Sequence, residues 1–249
     1  MPGLAKTVIN HVLAPLGAEL VRKKGHDWSD TRNFIPLEET LAGARARGMS
    51  VGDYVDEVLN KIPGATQSTI DHLVQLGVFA GKVDCLLEIG PGTGRYLEKE
   101  LAICSPQRVE IYETARPWAE YLVREYKVQW QPTDGQALSA TPDSSCDIVQ
   151  AFKVFSSISF MPTIRNWAEM VRVARPGGFI VFDIMTENCL APDVIRKWIA
   201  SGVDNGAYPA CMPETATLAF FADMGCSLVG SFQVPMGVGT TQTFVFKKT

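Results

Sequence analysis

The spacing of apolar residues changes near residue 80. Before that point they recur at helical intervals. Val8, Ile9, Val12, Leu13 and Leu16 mark one face of an amphipathic helix. Pro36–Gly48 reads as a second helix with Gly48 as its stop. Ser50 caps a third over 51–62, which Pro63-Gly64 ends. A fourth runs from Thr66 to Leu76 and stops at Gly77. Residues 1–80 are therefore expected to be an α-helical N-terminal cap. From residue 82, short apolar runs alternate with amphipathic stretches. Strands are expected over 83–89, 108–113, 127–132, 146–152, 177–185, 227–234 and 241–248. Helices are expected near 93–103, through Arg124, up to Ala174 and near 213–225.

Regular strand–helix alternation predicts parallel βαβ units. The short loop Pro235-Met236-Gly237-Val238-Gly239-Thr240 predicts an antiparallel hairpin for the last two strands. The expected fold is α/β: a Rossmann-like, doubly wound, seven-stranded sheet with an antiparallel final strand, over 81–249, behind the helical cap. The connection 186–226 holds one predicted helix. Connections of that length tend to serve function, so it is expected to form a substrate-facing lid.

Composition narrows the partners. Of 249 residues, 23 are Lys or Arg and 27 Asp or Glu, a net charge of −4. No basic patch points to a nucleic acid. No apolar run approaches the ~18 residues of a membrane-spanning helix. The six cysteines include no C-x-x-C pair and read as reduced thiols of a cytoplasmic protein. The three histidines all precede residue 80, which leaves no histidine cluster for a metal and no histidine base in the rest of the chain.

The chemical signal is Leu87-Glu88-Ile89-Gly90-Pro91-Gly92-Thr93-Gly94, between a buried strand and a helix. Glycines let the backbone turn tightly and approach a ligand. The helix start offers unpaired N–H groups to an anion. The dinucleotide fingerprint G-x-G-x-x-G does not fit, because the third glycine comes early and Arg95 follows it. An oxidoreductase is disfavoured accordingly. Glu113 ends the second strand, where a carboxylate can accept ribose hydroxyls. Thr133-Asp134-Gly135-Gln136 follows the third strand, Cys146-Asp147-Ile148-Val149 opens the fourth, and Arg172-Val173-Ala174-Arg175-Pro176-Gly177-Gly178 precedes the fifth.

Together these segments resemble the class I S-adenosylmethionine (SAM) dependent methyltransferases, over about 83–185 by motif and 225–248 by strand pattern. The resemblance implies SAM as cofactor and S-adenosylhomocysteine as product. It places Glu88, Gly90, Pro91, Gly92 and Gly94 around the methionine part, Glu113 on the ribose, and Asp134, Gly135 and Gln136 at the adenine. Phe152 would lie near the methyl group, and Tyr54 could close over the cofactor.

The acceptor is less legible. The N/D-P-P-Y/F tetrad and the Pro-Cys nucleophile are both absent, which leaves small molecules. Three segments resemble bacterial sugar- or glycan-associated methyltransferases, and O-methylation of such an acceptor is expected. A hydroxyl usually needs a base. The window after the fourth strand holds Phe152, Lys153, Ser156 and Ser157 where that group often has a histidine. Asp183, at the end of the fifth strand, and His26 are the candidate catalytic residues. His72, Trp198, Tyr208 and a Glu187–Asp183 carboxylate pair are weaker candidates. No metal is expected, and a homodimer through the N-terminal helices is plausible. The alternatives are N- or O-methylation of another natural product, or a SAM-binding protein without catalysis.

Overall fold

The computed structural model describes residues 35–203 and 208–249. The amphipathic helix expected before residue 20, and His26, lie outside the described residues.

The N-terminal helices are α1 (Leu37–Arg47), α2 (Val51–Tyr54) and α3 (Ala65–Gln75). Gly48 ends α1 in the left-handed conformation, and the Ser50 hydroxyl caps α2 by accepting from Asp53 N at 3.1 Å. α2 then widens into a π-helical turn, Val55–Leu59. The sheet strands and their helices follow in order: β1 (Cys85–Ile89), α4 (Arg95–Glu100), β2 (Arg108–Tyr112), α5 (Arg116–Tyr126), β3 (Gln129–Trp130), β4 (Cys146–Ala151), α6 (Phe160–Val173) and β5 (Ala174–Ile184). After β5 come α7 (Pro192–Ser201), α8 (Glu214–Asp223), β6 (Cys226–Met236) and β7 (Gly239–Lys248).

All seven strands form one sheet in the order β3-β2-β1-β4-β5-β7-β6. β1 to β5 pair in parallel, and β7 runs antiparallel between β5 and β6. The expected α/β architecture and its closing hairpin are both present. The strand order reverses between β1 and β4, the place where such sheets open a ligand crevice beyond their carboxyl ends.

Alternation within the strands sends side chains to two cores. One carries Trp167, Phe155, Phe182, Phe221, Phe244 and Phe246, under α6 and α8. The other carries Leu86, Ile111, Ile148, Val181 and Val245, under α3, α4 and α5. Burial of these faces is the main favourable term of the fold.

Three expectations need correction. α4 spans six residues, shorter than 93–103, because Gly94 stays outside it at φ 75° and the chain turns at Leu101. β3 is two residues long: Gln131 N makes its bond to Ile111 O and the chain then leaves β2 at Pro132. The 186–226 connection holds a second helix, α7, which rests Trp198 and Val194 on Gly237 and Gly239 of the closing hairpin.

Asp147 locks the amino edge. Its carboxylate accepts from Asp84 N at 2.8 Å and Cys85 N at 2.7 Å, and Arg175 Nε donates to its other oxygen. Asp147→Ala strips two backbone amides of their partner. It is expected to cost roughly 2–4 kcal/mol, read as a lower urea midpoint at unchanged slope.

Candidate active site

The glycine turn leaves β1 with Gly90, Gly92 and Gly94 all at positive φ (60°, 54° and 75°). Gly90 N donates to Tyr112 O at 2.9 Å, which ties the turn to β2. A Cβ on Gly90 would come within 2.8 Å of Val154 Cγ2, so the loop after β4 lies directly over the turn. A Cβ on Gly92 would meet nothing within 4 Å, which leaves its open side free for a ligand.

Glu113 clamps this turn. Gly92 N donates to its Oε2 at 2.7 Å and Ala115 N to its Oε1 at 2.7 Å. Each carboxylate oxygen keeps one lone pair for a further donor. Burial pushes the Glu113 carboxyl up, and the amides of Ala115 and Gly92 pull it back. Beside it opens a cavity of about 410 Å³, lined by Glu113, Thr114, Trp130, Gln131, Pro132, Thr133 and Asp134. Trp130 Nε1 donates to Glu113 O at 3.0 Å, which fixes that wall. Asp134 folds its loop by accepting from Gln136 N and Ala137 N, and these bonds hold its carboxyl below the usual range.

Glu88 lies at the root of the turn, buried, and neither carboxylate oxygen has a partner among the described residues. On the same sheet face are Gln150 and, from α4, Glu100, both fully buried; Gln150 Nε2 donates to Glu100 Oε2 at 2.7 Å. Burial raises Glu88 well above the ordinary carboxylate value and pushes Glu100 up to about 8. A cationic group would satisfy Glu88 directly.

At the carboxyl ends of β4 and β5 and the amino end of the antiparallel β7, Lys153 Nζ lies 2.8 Å from Asp183 Oδ2 and 2.7 Å from Thr241 Oγ1. Lys153 N donates to Asp183 Oδ1 at 2.6 Å, and Thr241 also bonds Asp183. Lys153 holds φ 61°, a left-handed backbone that an L side chain rarely adopts. Burial lowers its ammonium, and Asp183 opposes that shift.

The other candidates fall elsewhere. Asp183 is wholly buried with its donors already in place, so it holds Lys153 and does not stand free as a base. The Tyr54 hydroxyl packs onto Gly43 of α1 and its ring lies under Arg47. Phe152 stacks on Tyr96 at 4.0 Å inside the core. Gln136 Oε1 accepts from Arg165. His72 stacks on Phe232 at 4.5 Å. Trp198 and Tyr208 pack edge to face. Glu187 accepts from Glu214 N, which separates it from Asp183. Among the described residues, no three His, Cys, Asp or Glu side chains converge on a point. No described helix is long and apolar enough to cross a membrane.

Sequence reasoning passed over Arg95 and Glu100. Arg95 Nη1 bonds Asp56 Oδ1 at 2.7 Å, and Asp56 also accepts from Thr66 N and Oγ1. This pair docks the π-helical turn onto α4. Arg95 carried a signal, since a charge directly after the glycine turn invites a partner.

Residues 87–182 match the model described as methyltransferase domain. Over these residues the chain is similar to a methyltransferase domain, and the match spans less than half of its length. No curated protein sequence matches the chain. Among solved structures, the N-methyltransferase NodS from Bradyrhizobium japonicum, in complex with S-adenosyl-L-homocysteine, is similar at TM-score 0.53 and 19% identity, over 73% of this chain and 86% of that one. An O-methyltransferase family protein from Burkholderia thailandensis is similar at TM-score 0.59 and 16% identity, over 85% and 62%. Magnesium protoporphyrin IX methyltransferase from Synechocystis, with bound SAH, is similar at TM-score 0.56 and 12% identity, over 98% and 99%. At these identities the likeness is one of fold.

The buried acids at the root of the glycine turn set a pH dependence. An unfolded Glu100 ionises near 4.5, and the folded one only near 8. Between those values the folded state binds the extra proton, so stability falls as pH rises through this window and levels off above it. Glu100→Gln should flatten that decline by on the order of 2–4 kcal/mol, measured by urea unfolding at pH 5 and pH 8.5.

Proposed function

We propose that this methyltransferase transfers the methyl group of SAM to a hydroxyl of a small molecule, with a sugar or glycan as the first acceptor class to test. The observation that carries the reading is the buried, unpartnered Glu88 carboxylate beneath three left-handed glycines. In this reading Glu88 receives the ammonium of the methionine part, and Gly90, Pro91, Gly92 and Gly94 admit its backbone-like atoms. Glu113 uses its remaining lone pairs on the ribose hydroxyls. Trp130, Thr133, Asp134 and Gly135 wall the adenine. Bound SAM supplies an electrophilic methyl on a sulfonium.

Displacement at such a methyl depends heavily on positioning. A hydroxyl acceptor must also lose its proton. Lys153 directly precedes Val154, whose side chain lies over Gly90, and burial shifts it toward the neutral form a base requires. Asp183 and Thr241 fix it there. The helices over 37–75 then cover the cofactor side through the Arg95–Asp56 pair and the Gly52 N bond to Glu98 Oε2. The 186–226 connection walls the acceptor side. Ala210 N donates to Ser156 O, and Met212 N to Met185 O, along the carboxyl edge. The name of the NodS neighbour favours a second reading, an amine acceptor. An amine needs no strong base.

Calorimetry with SAM and S-adenosylhomocysteine tests the cofactor half. Glu88→Ala and Gly92→Val should each weaken binding at least tenfold, and absence of binding by the unaltered chain at millimolar ligand would end the proposal. Lys153→Met tests the chemistry. With a sugar acceptor, kcat should fall by about 10²–10⁴ while SAM affinity holds. With an amine acceptor, kcat should stay within a few fold.

A further inference from the structure

At the amino edge of the sheet, remote from the glycine turn, two buried thiols meet. Cys85 opens β1 and Cys146 opens the adjacent β4, and their sulfurs lie 3.3 Å apart. Both belong to the core under α6 and α8. Leu86 pairs with Ile148, so the two cysteines stand one residue out of step on neighbouring strands, a diagonal of about 6 Å that a disulfide bridges.

The pair is chemically unequal. Arg108 opens β2 opposite Cys85, and its Nε and Nη2 donate to Cys85 Sγ at 3.4 and 3.3 Å. A guanidinium beside a sulfur favours the thiolate, which is the nucleophilic form. Glu110 sits 2.8 Å from Arg108 Nε and tempers that charge. Cys146 faces Cys85 and the Ser145 hydroxyl, and among the described residues no cation bonds its sulfur. The hydrogen bond with Cys146, helped by Arg108, holds the Cys85 thiol below its usual value against burial, and the same bond pushes Cys146 up. Arg108 is also the route inward. Its side chain is 36% exposed and lies between solvent and the Cys85 sulfur. A small, uncharged oxidant needs only that guanidinium to swing aside.

We propose that Cys85 and Cys146 are a redox pair that a hydroperoxide converts to a reversible disulfide joining β1 to β4. The Cys85 thiolate attacks one peroxide oxygen and the O–O bond breaks. The departing hydroxide takes a proton and leaves as water, and Cys85 becomes a sulfenic acid. Cys146 gives up its proton and attacks the Cys85 sulfur, and the sulfenic hydroxyl leaves as a second water. Two thiols and one hydrogen peroxide yield one disulfide and two waters. The bond closes the loop between residues 85 and 146 and restricts the unfolded chain. It forms at the edge opposite the glycine turn and Lys153, so it changes stability and leaves cofactor binding alone.

The test uses the full chain and hydrogen peroxide, followed by alkylation and peptide mass mapping. The expected product is a Cys85–Cys146 cross-linked peptide pair, 2 Da lighter than the sum of the two thiol peptides and restored by dithiothreitol. The oxidised protein should melt several degrees higher with unchanged affinity for S-adenosylhomocysteine. Arg108→Met should slow the oxidation about tenfold or more. Cys146→Ser should leave Cys85 as a trappable sulfenic acid with no gain in melting temperature. Recovery of both residues as alkylated thiols after peroxide, or pairing of either with Cys104, Cys189, Cys211 or Cys226, would overturn the proposal. Because mapping is done on the unaltered chain, a misfolded variant cannot obscure the result.

Discussion

The site depends first on one carboxylate. Glu113 accepts Gly92 N with one oxygen and Ala115 N with the other, so a single side chain joins the turn after β1 to the start of α5. Both amides lie at bends, where no sheet or helix partner exists for them. Unmet, each would cost about 1–3 kcal/mol of desolvation. The acid therefore does two tasks with one geometry. It stabilises a left-handed turn that few sequences tolerate, and it presents its remaining lone pairs beside the cavity lined by Trp130 and Asp134. A neutral amide could not accept at both oxygens, which explains why the end of β2 carries Glu even though burial raises its carboxyl.

Glu88 and Glu100 carry the opposite burden. Among the described residues, neither oxygen of Glu88 has a hydrogen-bond partner, and Glu100, at the end of α4, has one on Oε2 alone, from Gln150. Folding without a ligand keeps at least one of them protonated. That burial is unfavourable for the apo fold, and it is the kind of deficit that a bound cation removes. The Arg95–Asp56 pair lies nearby and is itself saturated by Thr66. Its charge is spent on docking the N-terminal helices, so the acidic cluster remains poised for a ligand and is not quenched from within.

Much of the fold was legible because it rests on periodicity and punctuation. The alternation of short apolar runs with amphipathic stretches located all seven strands, and Ser50, Gly48 and the Pro235–Thr240 loop marked a cap, a stop and a hairpin. The misses have local causes. α7 buries no residue fully and leaves Ile195 and Ile199 exposed, so its apolar positions read as part of a connection. The glycine turn was readable because glycine is conspicuous where φ is positive. The candidate base was less readable. Asp183 carries the right chemistry at the right edge, but its availability depends on Lys153 and Thr241, 30 and 58 residues away in sequence. Lys153 was visible only as one member of a window. Its left-handed backbone, unusual for lysine, is a property of the folded chain.

The two edges of the sheet divide the labour. At the carboxyl edge, polar groups are left incompletely satisfied: Glu88 lacks a partner and Lys153 holds a strained backbone angle. At the amino edge, polar groups are satisfied completely: Asp147 takes Asp84 N, Cys85 N and Arg175. A sheet can tolerate strain at one end only if the other end is held, because register is shared along each strand. β1 and β4 bear this most directly. Each begins in the Asp147 network or beside it and ends at the glycine turn or the Lys153 loop. The Cys85–Cys146 contact lies on the held edge, between the two strands that open toward the crevice, where an added bond would reinforce the anchor without entering the chemistry.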